Sequence, residues 1–305
     1  MDASAYWRAG GQKLHDTVAD LLASCDFPKN TPDLLYHFTD STGLTGIFTT
    51  KTLWASLATA LSDASETKYA VARLAEHLLD KTIQPKNIPA ELLLKHLEGR
   101  RISGLISDSR AYVTSFCANA DEALHWNHYG RSGTGMAIAF ETKGLDADSW
   151  SLCPVIYEHS QQDRLLRTLV ETVDEFAGKF IAQAATVRDK RIPIDSLAAH
   201  LTTMYLRLMA PRMKDPAFKA ENEWRLIGNE VWEEGCTPSR QARYRTAAGR
   251  VVPYAEIKFE PLPITEIVLG ASSAMQVDEQ SLTVLMQNTL GRTYPVRRSA
   301  VAIRP

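Results

Sequence analysis

Two groups of polar residues, far apart along the chain, are the best placed to do chemistry. The first is His37, at the end of the apolar run DLLYHF. The second is Glu221-Asn222-Glu223-Trp224-Arg225, inside KAENEWRLIGN, which reads as a strand. Side chains two apart on a strand share a face. Glu221, Glu223 and Arg225 are therefore expected on one side, with Asn222 and Trp224 opposite. Two carboxylates so placed raise the pKa of one of them, and the arginine offsets that effect. A carboxylate in such a pair can act as a general base, and His37 can donate or accept one hydrogen bond. The structural alternatives are a satisfied histidine closing a buried strand and a salt network along a strand face.

Other candidates are weaker. His125 and His128 share a helix face, but no third metal ligand accompanies them, so no metal site is expected there. Asp63 and Glu66 could join Glu221 and Glu223 around a divalent ion, or could cap a helix that starts near Ser62; the cap is the plainer reading. No GxGxxG follows a strand and no Walker loop is present, so the familiar phosphate cradles are missing.

Composition narrows the classes. The 305 residues, 45% of them hydrophobic, suffice for one large domain or two small ones. A net charge of -2 argues against a broad electrostatic grip on nucleic acid. No run approaches the roughly 20 apolar residues of a membrane span, and the first residues lack a signal-peptide pattern. Cys25, Cys117, Cys153 and Cys236 are scattered without metal spacing, as expected of reduced thiols in a cytoplasmic protein.

The elements that must position these residues follow from periodicity. A helix is expected over residues 3–26, forming an N-terminal segment 1–30. Strands are expected at DLLYHF, TLWAS, AYVTSFC, GMAIAFE, CPVIYE, KAENEWRLIGN, VVPYAEIKF, ITEIVLG and YPVRRSAVAI. Short helices are expected at STGLTGIF, DEALHWNHYG and SLTVLMQNTLG, with longer helical insertions at about 62–100 and 160–214. The sum is one α+β domain over 31–305 with helical insertions.

Several pieces stand here in an ordered set: Tyr36-His37-Phe38-Thr39, GLTGIF, Leu53-Trp54-Ala55-Ser56, Asp63 and Glu66, SFC, Trp126, Tyr129-Gly130, GTGMAIAF, Phe218, Glu221 to Arg225, Val252-Pro253-Tyr254 and ITEIVLGA. From about residue 33 to the C-terminus the order resembles a prokaryotic family known as domain of unknown function 2971. The opening strand ending in His-aromatic-Thr, followed by GLTGIF and a strand, also resembles the His-bearing branch of the ADP-ribosyltransferases.

That second resemblance implies a split β-sheet core and NAD as substrate. His37 would hold a ribose hydroxyl, and Glu223 would be the carboxylate that stabilises the developing ribose cation. Glu221 would activate an acceptor. Tyr36, Phe38, Thr39, Trp54, Ser115, Trp126 and Tyr129 would line the nucleotide site. Arg131 and Arg225 would complete it, with Arg131 on the pyrophosphate. ADP-ribose would pass to a protein or nucleic-acid acceptor, or to water. A toxin or antiviral-defence role, with an antitoxin or regulatory partner, would fit such an enzyme. The rivals are a metal-dependent nuclease or phosphoesterase using Asp63, Glu66, Glu221 and Glu223, and a non-catalytic nucleotide-sensing module.

Overall fold

In a computed structural model the described residues are 17–18, 31–60, 65–98, 111–145, 150–185, 194–229, 242–247, 249–272 and 278–301. In chain order the first elements are β1 (Leu34–Thr39), α1 (Ser41–Thr50), β2 (Thr52–Leu57), α2 (Ser65–Leu79), α3 (Ala90–Leu97), β3 (Ala111–Cys117) and α4 (Ala123–His128). Next come β4 (Met136–Glu141), β5 (Trp150–Pro154), α5 (His159–Ala185), α6 (Ile194–Met204) and β6 (Glu223–Asn229). The chain continues with β7 (Arg243–Ala247), β8 (Arg250–Lys258), β9 (Ile264–Leu269), α7 (Glu279–Leu290) and β10 (Val296–Arg298). This is a mixed α and β fold, as the sequence pattern implies.

The chain divides into two compact units. One comprises residues 1–27, 62–111 and 156–216, so the two helical insertions, expected as excursions from a single domain, gather into a unit of their own. Its core joins Leu74 and Leu78 of α2, Leu93 and Leu97 of α3, Leu166 and Val173 of α5, and Leu201 of α6. Between α2 and α3 runs a loop pinned by the buried Asp174, whose carboxylate accepts from the backbone N–H groups of Lys86, Asn87 and Ile88, each at 2.8 Å. Of the expected helix 3–26, only Thr17 and Val18 are described, and they are helical; the rest lies outside the described residues.

The other unit, residues 28–61, 112–155 and 217–305, holds the sheet. The strand order is β10-β9-β4-β1-β3-β2-β8-β7, with β6 paired to β3 and β5. Only β10 and β9 run parallel among the pairs whose register is known; the rest are antiparallel. β3 meets its neighbours at opposite ends: Tyr36 lies opposite Cys117 on the β1 side, while Ser56 and Leu57 lie opposite Val113 and Tyr112 on the β2 side. α1 starts where Asp40 accepts from the Gly43 N–H at 2.8 Å, which satisfies one of the orphan donors of a helix N-terminus. It buries Leu44, Ile47 and Phe48 in a core shared with Leu35, Phe116, Ile138, Trp224 and Leu226. A smaller cluster of Ala120, Trp126, Ala137 and Val268 packs with Tyr36 and Phe38.

Two strands depart from expectation. The strand expected at CPVIYE begins earlier, at Trp150, and ends at Pro154; only Ile156 makes a further bridge, to Met213. The last β5–β6 pair is Pro154–Trp224, and one backbone bond follows it, from the Val155 N–H to Glu223 O at 2.9 Å. β7 is an edge strand of polar residues, RYRTA, without the alternation that marks a half-buried strand. Among the described residues, no helix is long and apolar enough to cross a membrane.

Candidate functional site

His37 sits near the end of β1, half-buried, with its ring edge-on to Phe116 at 5.8 Å between centroids. Its Nδ1 lies 2.9 Å from the carbonyl oxygen of Ser115 on β3. A carbonyl can only accept, so Nδ1 carries the proton and Nε2 is left as an acceptor. Burial lowers the His37 pKa, the Ser115 bond opposes that shift, and the nearby Arg245 guanidinium adds to it. The ring is therefore neutral near pH 7, its Nε2 without a partner among the described residues.

Charged and aromatic groups surround this end of the sheet. Asp40 caps α1 and also accepts from Arg131 at 2.6 Å. Arg131 and Ser132 both hold positive φ, at 51° each, in a tight turn before β4. The turn thus aims Arg131, the guanidinium expected on a pyrophosphate, at Asp40. Thr39 closes β1 over the first turn of α1: a Cβ at Gly43 would come within 2.1 Å of its Oγ1. Arg245, on β7, donates to Ser56 Oγ at 2.9 Å. Trp54 leans on Tyr254 at 5.0 Å between centroids.

The second predicted group is built differently from expectation. β6 begins at Glu223, and Glu221 belongs to the short 3₁₀ turn Pro216–Glu221 before it. Between them Asn222 has φ 43°, in the left-handed region that asparagine tolerates better than most residues. Strand alternation therefore never reaches Glu221, and the expected three-residue face contracts to Glu223 and Arg225. Those two do share a face. Arg225 Nε and Nη2 donate to the two carboxylate oxygens of Glu223, both at 2.8 Å. Glu223 is 6% exposed and Arg225 2%, so the fork is a buried bidentate pair.

His37 and Glu223 do not meet. Leu35 and Phe116 belong to the main core of the sheet unit, and His37 sides with them by alternation and by its ring contact. Trp224 and Leu226 belong to the same core. Glu223 and Arg225, alternating with them, point away from it. No hydrogen bond or charge interaction of His37 involves Glu221 or Glu223.

The remaining predicted residues divide between core and surface. Trp126 is fully buried, edge-on to the half-buried Phe38 at 4.9 Å between centroids. Tyr36 bonds Glu266 at 3.4 Å; burial, then Glu266, push its pKa up. Tyr129 is 40% exposed beyond α4, and Ser115 contributes its backbone carbonyl to His37. His125 has both ring nitrogens on backbone carbonyls, Glu221 O at 2.8 Å and Asn119 O at 3.2 Å. Glu66 pairs with Lys214 at 3.0 Å in the helical unit, and Asp63 lies outside the described residues. Among the described residues no three His, Cys, Asp or Glu gather as metal ligands do. Sequence reasoning missed Arg245 beside His37, because a lone arginine on a polar edge strand carries no motif.

Residues 125–226, which run from His125 through the Glu223–Arg225 pair, match the model of a family described as protein of unknown function (DUF2971). The match bears out the sequence resemblance to that family. No curated protein and no solved structure matches the chain.

Proposed function

We propose that this chain binds a nucleotide of the NAD or ADP-ribose class at the His37 end of β1, as a recognition module of ADP-ribosyltransferase type. The observation that carries this reading is the His37 ring. Its tautomer is set by Ser115 O, it stays neutral, and its Nε2 can accept from a ribose hydroxyl. The divergence of β1 and β2 from opposite ends of β3 supports a split-sheet core. The half-buried Trp54 and its tilted partner Tyr254 offer ring surface in the same unit.

Recognition fits this geometry better than transfer. Cleaving the nicotinamide–ribose bond calls for a carboxylate against the ribose cation. Both Glu223 oxygens are held by Arg225. Transfer of ADP-ribose to a macromolecule, with a toxin or defence role, would require that pair to open. Calorimetric titration with ADP-ribose tests the reading, with His37→Ala expected to weaken binding by about 3- to 10-fold, the worth of one neutral hydrogen bond. Absence of wild-type binding at millimolar ADP-ribose sinks it. Release of nicotinamide from labelled NAD that is lost in Glu223→Gln would make transfer, not recognition, the function.

A further inference from the structure

We infer that Arg245 is the anion-binding residue of this site and takes a phosphate group of the bound ligand, with Ser56 beside it; the inference rests on the nucleotide reading above. The guanidinium projects from the edge strand β7 and is half-buried. Its one hydrogen bond goes to a neutral partner, Ser56 Oγ. Its Nε is fully buried and has no partner. A guanidinium taken out of water without a counter-charge is costly unless something negative arrives to meet it.

Three other buried or half-buried arginines of the fold meet acids. Arg225 forks onto Glu223, Arg73 pairs with Asp163, and Arg297 reaches Glu266 and Asp121. Among the described residues, the acids around Arg245 are already committed. Asp40 lies within electrostatic range but caps α1 and holds Arg131, while Glu256 pairs with Arg243 at 2.9 Å. Burial lowers the Arg245 pKa, and Tyr254 and Asp40 only partly restore it. The same cation sits near enough to His37 to depress the histidine. A sugar acceptor and an unmatched cation at one end of the sheet suit a sugar phosphate: the hydroxyl goes to Nε2 and the phosphate to the guanidinium. Ser56, which accepts from Arg245, still has its O–H to donate to a phosphate oxygen.

The test measures binding of ADP-ribose, inorganic pyrophosphate and adenosine to the full chain as wild type, Arg245→Gln, Arg245→Lys and Arg131→Ala. Arg245→Gln is expected to weaken ADP-ribose and pyrophosphate by about 10- to 100-fold, the range for a charge-assisted hydrogen bond, and to leave adenosine within about 2-fold. Arg245→Lys should recover part of the loss, and Arg131→Ala should stay near wild type. Equal binding of ADP-ribose by wild type and Arg245→Gln overturns the anion site and leaves the nucleotide reading standing. Pyrophosphate binding that needs Arg245 while His37→Ala changes nothing for ADP-ribose supports the anion site and overturns the nucleotide reading. Failure of wild type to bind either phosphate compound overturns both. A far-ultraviolet melt of each variant reports whether it folds, and Arg245→Lys carries the test if Arg245→Gln does not.

Discussion

The His37 end of β1 and the Glu223–Arg225 pair on β6 are the two polar features of the sheet unit most visible in sequence, and the fold treats them in opposite ways. At β6 the carboxylate and the guanidinium hold each other: two hydrogen bonds at 2.8 Å close a fork that is almost fully buried. At β1 the histidine spends one nitrogen on a backbone carbonyl and keeps the other. Within electrostatic range of it, a half-buried arginine has a hydroxyl but, among the described residues, no acid. Closed polar groups specify and rigidify a fold; open ones near a surface are where ligands bind. The comparison therefore moves the weight of function from Glu223, the residue with the louder motif, to His37 and Arg245.

The strongest way to break this contrast is to open the closed pair. Arg225→Ala leaves a buried carboxylate without its partner and is expected to cost about 3–5 kcal/mol, read as a drop in the urea midpoint. Glu223→Leu combined with Arg225→Met should recover most of that loss, because a buried ion pair replaced by apolar residues of similar size is often neutral. If Arg225→Ala is as stable as wild type, the pair is not structural and Glu223 returns as a candidate for chemistry.

A smaller effect tests how tightly the open end is built. At Gly43 a new Cβ would come within 2.1 Å of Thr39 Oγ1 and 3.6 Å of Asp40 Oδ1. Gly43→Ala must push Thr39 out of place at the end of β1, at about 1–3 kcal/mol for overpacking. It should also weaken ADP-ribose binding while leaving the β6 pair intact. A Gly43→Ala variant with wild-type stability and wild-type affinity would show that the Thr39 corner does not position His37.

These two sites also show how far the sequence can be read. The alternation of AYVTSFC predicts a strand, and β3 occupies those seven residues. The cap at Asp40 and the stop at Gly291, where φ is 71°, follow from local chemistry alone. What fails is what local chemistry does not encode. Nothing in KAENEWRLIGN announces that Asn222 turns left-handed and removes Glu221 from the strand. The pairing of Glu223 with Arg225 was foreseeable from their i, i+2 spacing as a salt network, but not its burial, which depends on distant elements. Arg245 becomes notable only once β7 sets it beside Ser56.

The open histidine predicts a pH dependence of its own. Its folded pKa is depressed below the ordinary 6.5, so the unfolded chain binds a proton more readily than the folded one. The stability it contributes is therefore present above about pH 6.5 and is lost as pH falls from there through the folded value. Protonation of the folded chain also removes the Nε2 acceptor, so ADP-ribose affinity should decline as pH falls through the depressed folded value. His37→Gln should flatten both profiles and cost about 1 kcal/mol at pH 7. Unchanged profiles in that variant would assign the acid sensitivity to another group.

The smallest expected effect belongs to Arg131, and its smallness is the point. Its guanidinium is 67% exposed and meets Asp40, itself 32% exposed, at 2.6 Å. An ion pair in that much water is screened and contributes about 0.2–1 kcal/mol, falling with added salt. Arg131→Ala should shift the denaturation midpoint only within that range, whereas Asp40→Ala, which also removes the α1 cap, should cost about 1 kcal/mol more. The Arg131 variant frees Asp40 to turn toward Arg245. If the anion site is real, ADP-ribose affinity in Arg131→Ala then falls slightly, by less than in Arg245→Gln, because a carboxylate now competes with the phosphate for the same guanidinium. A rise in affinity would mean that Arg131 was blocking the site, and would place the anion nearer Asp40 than Ser56.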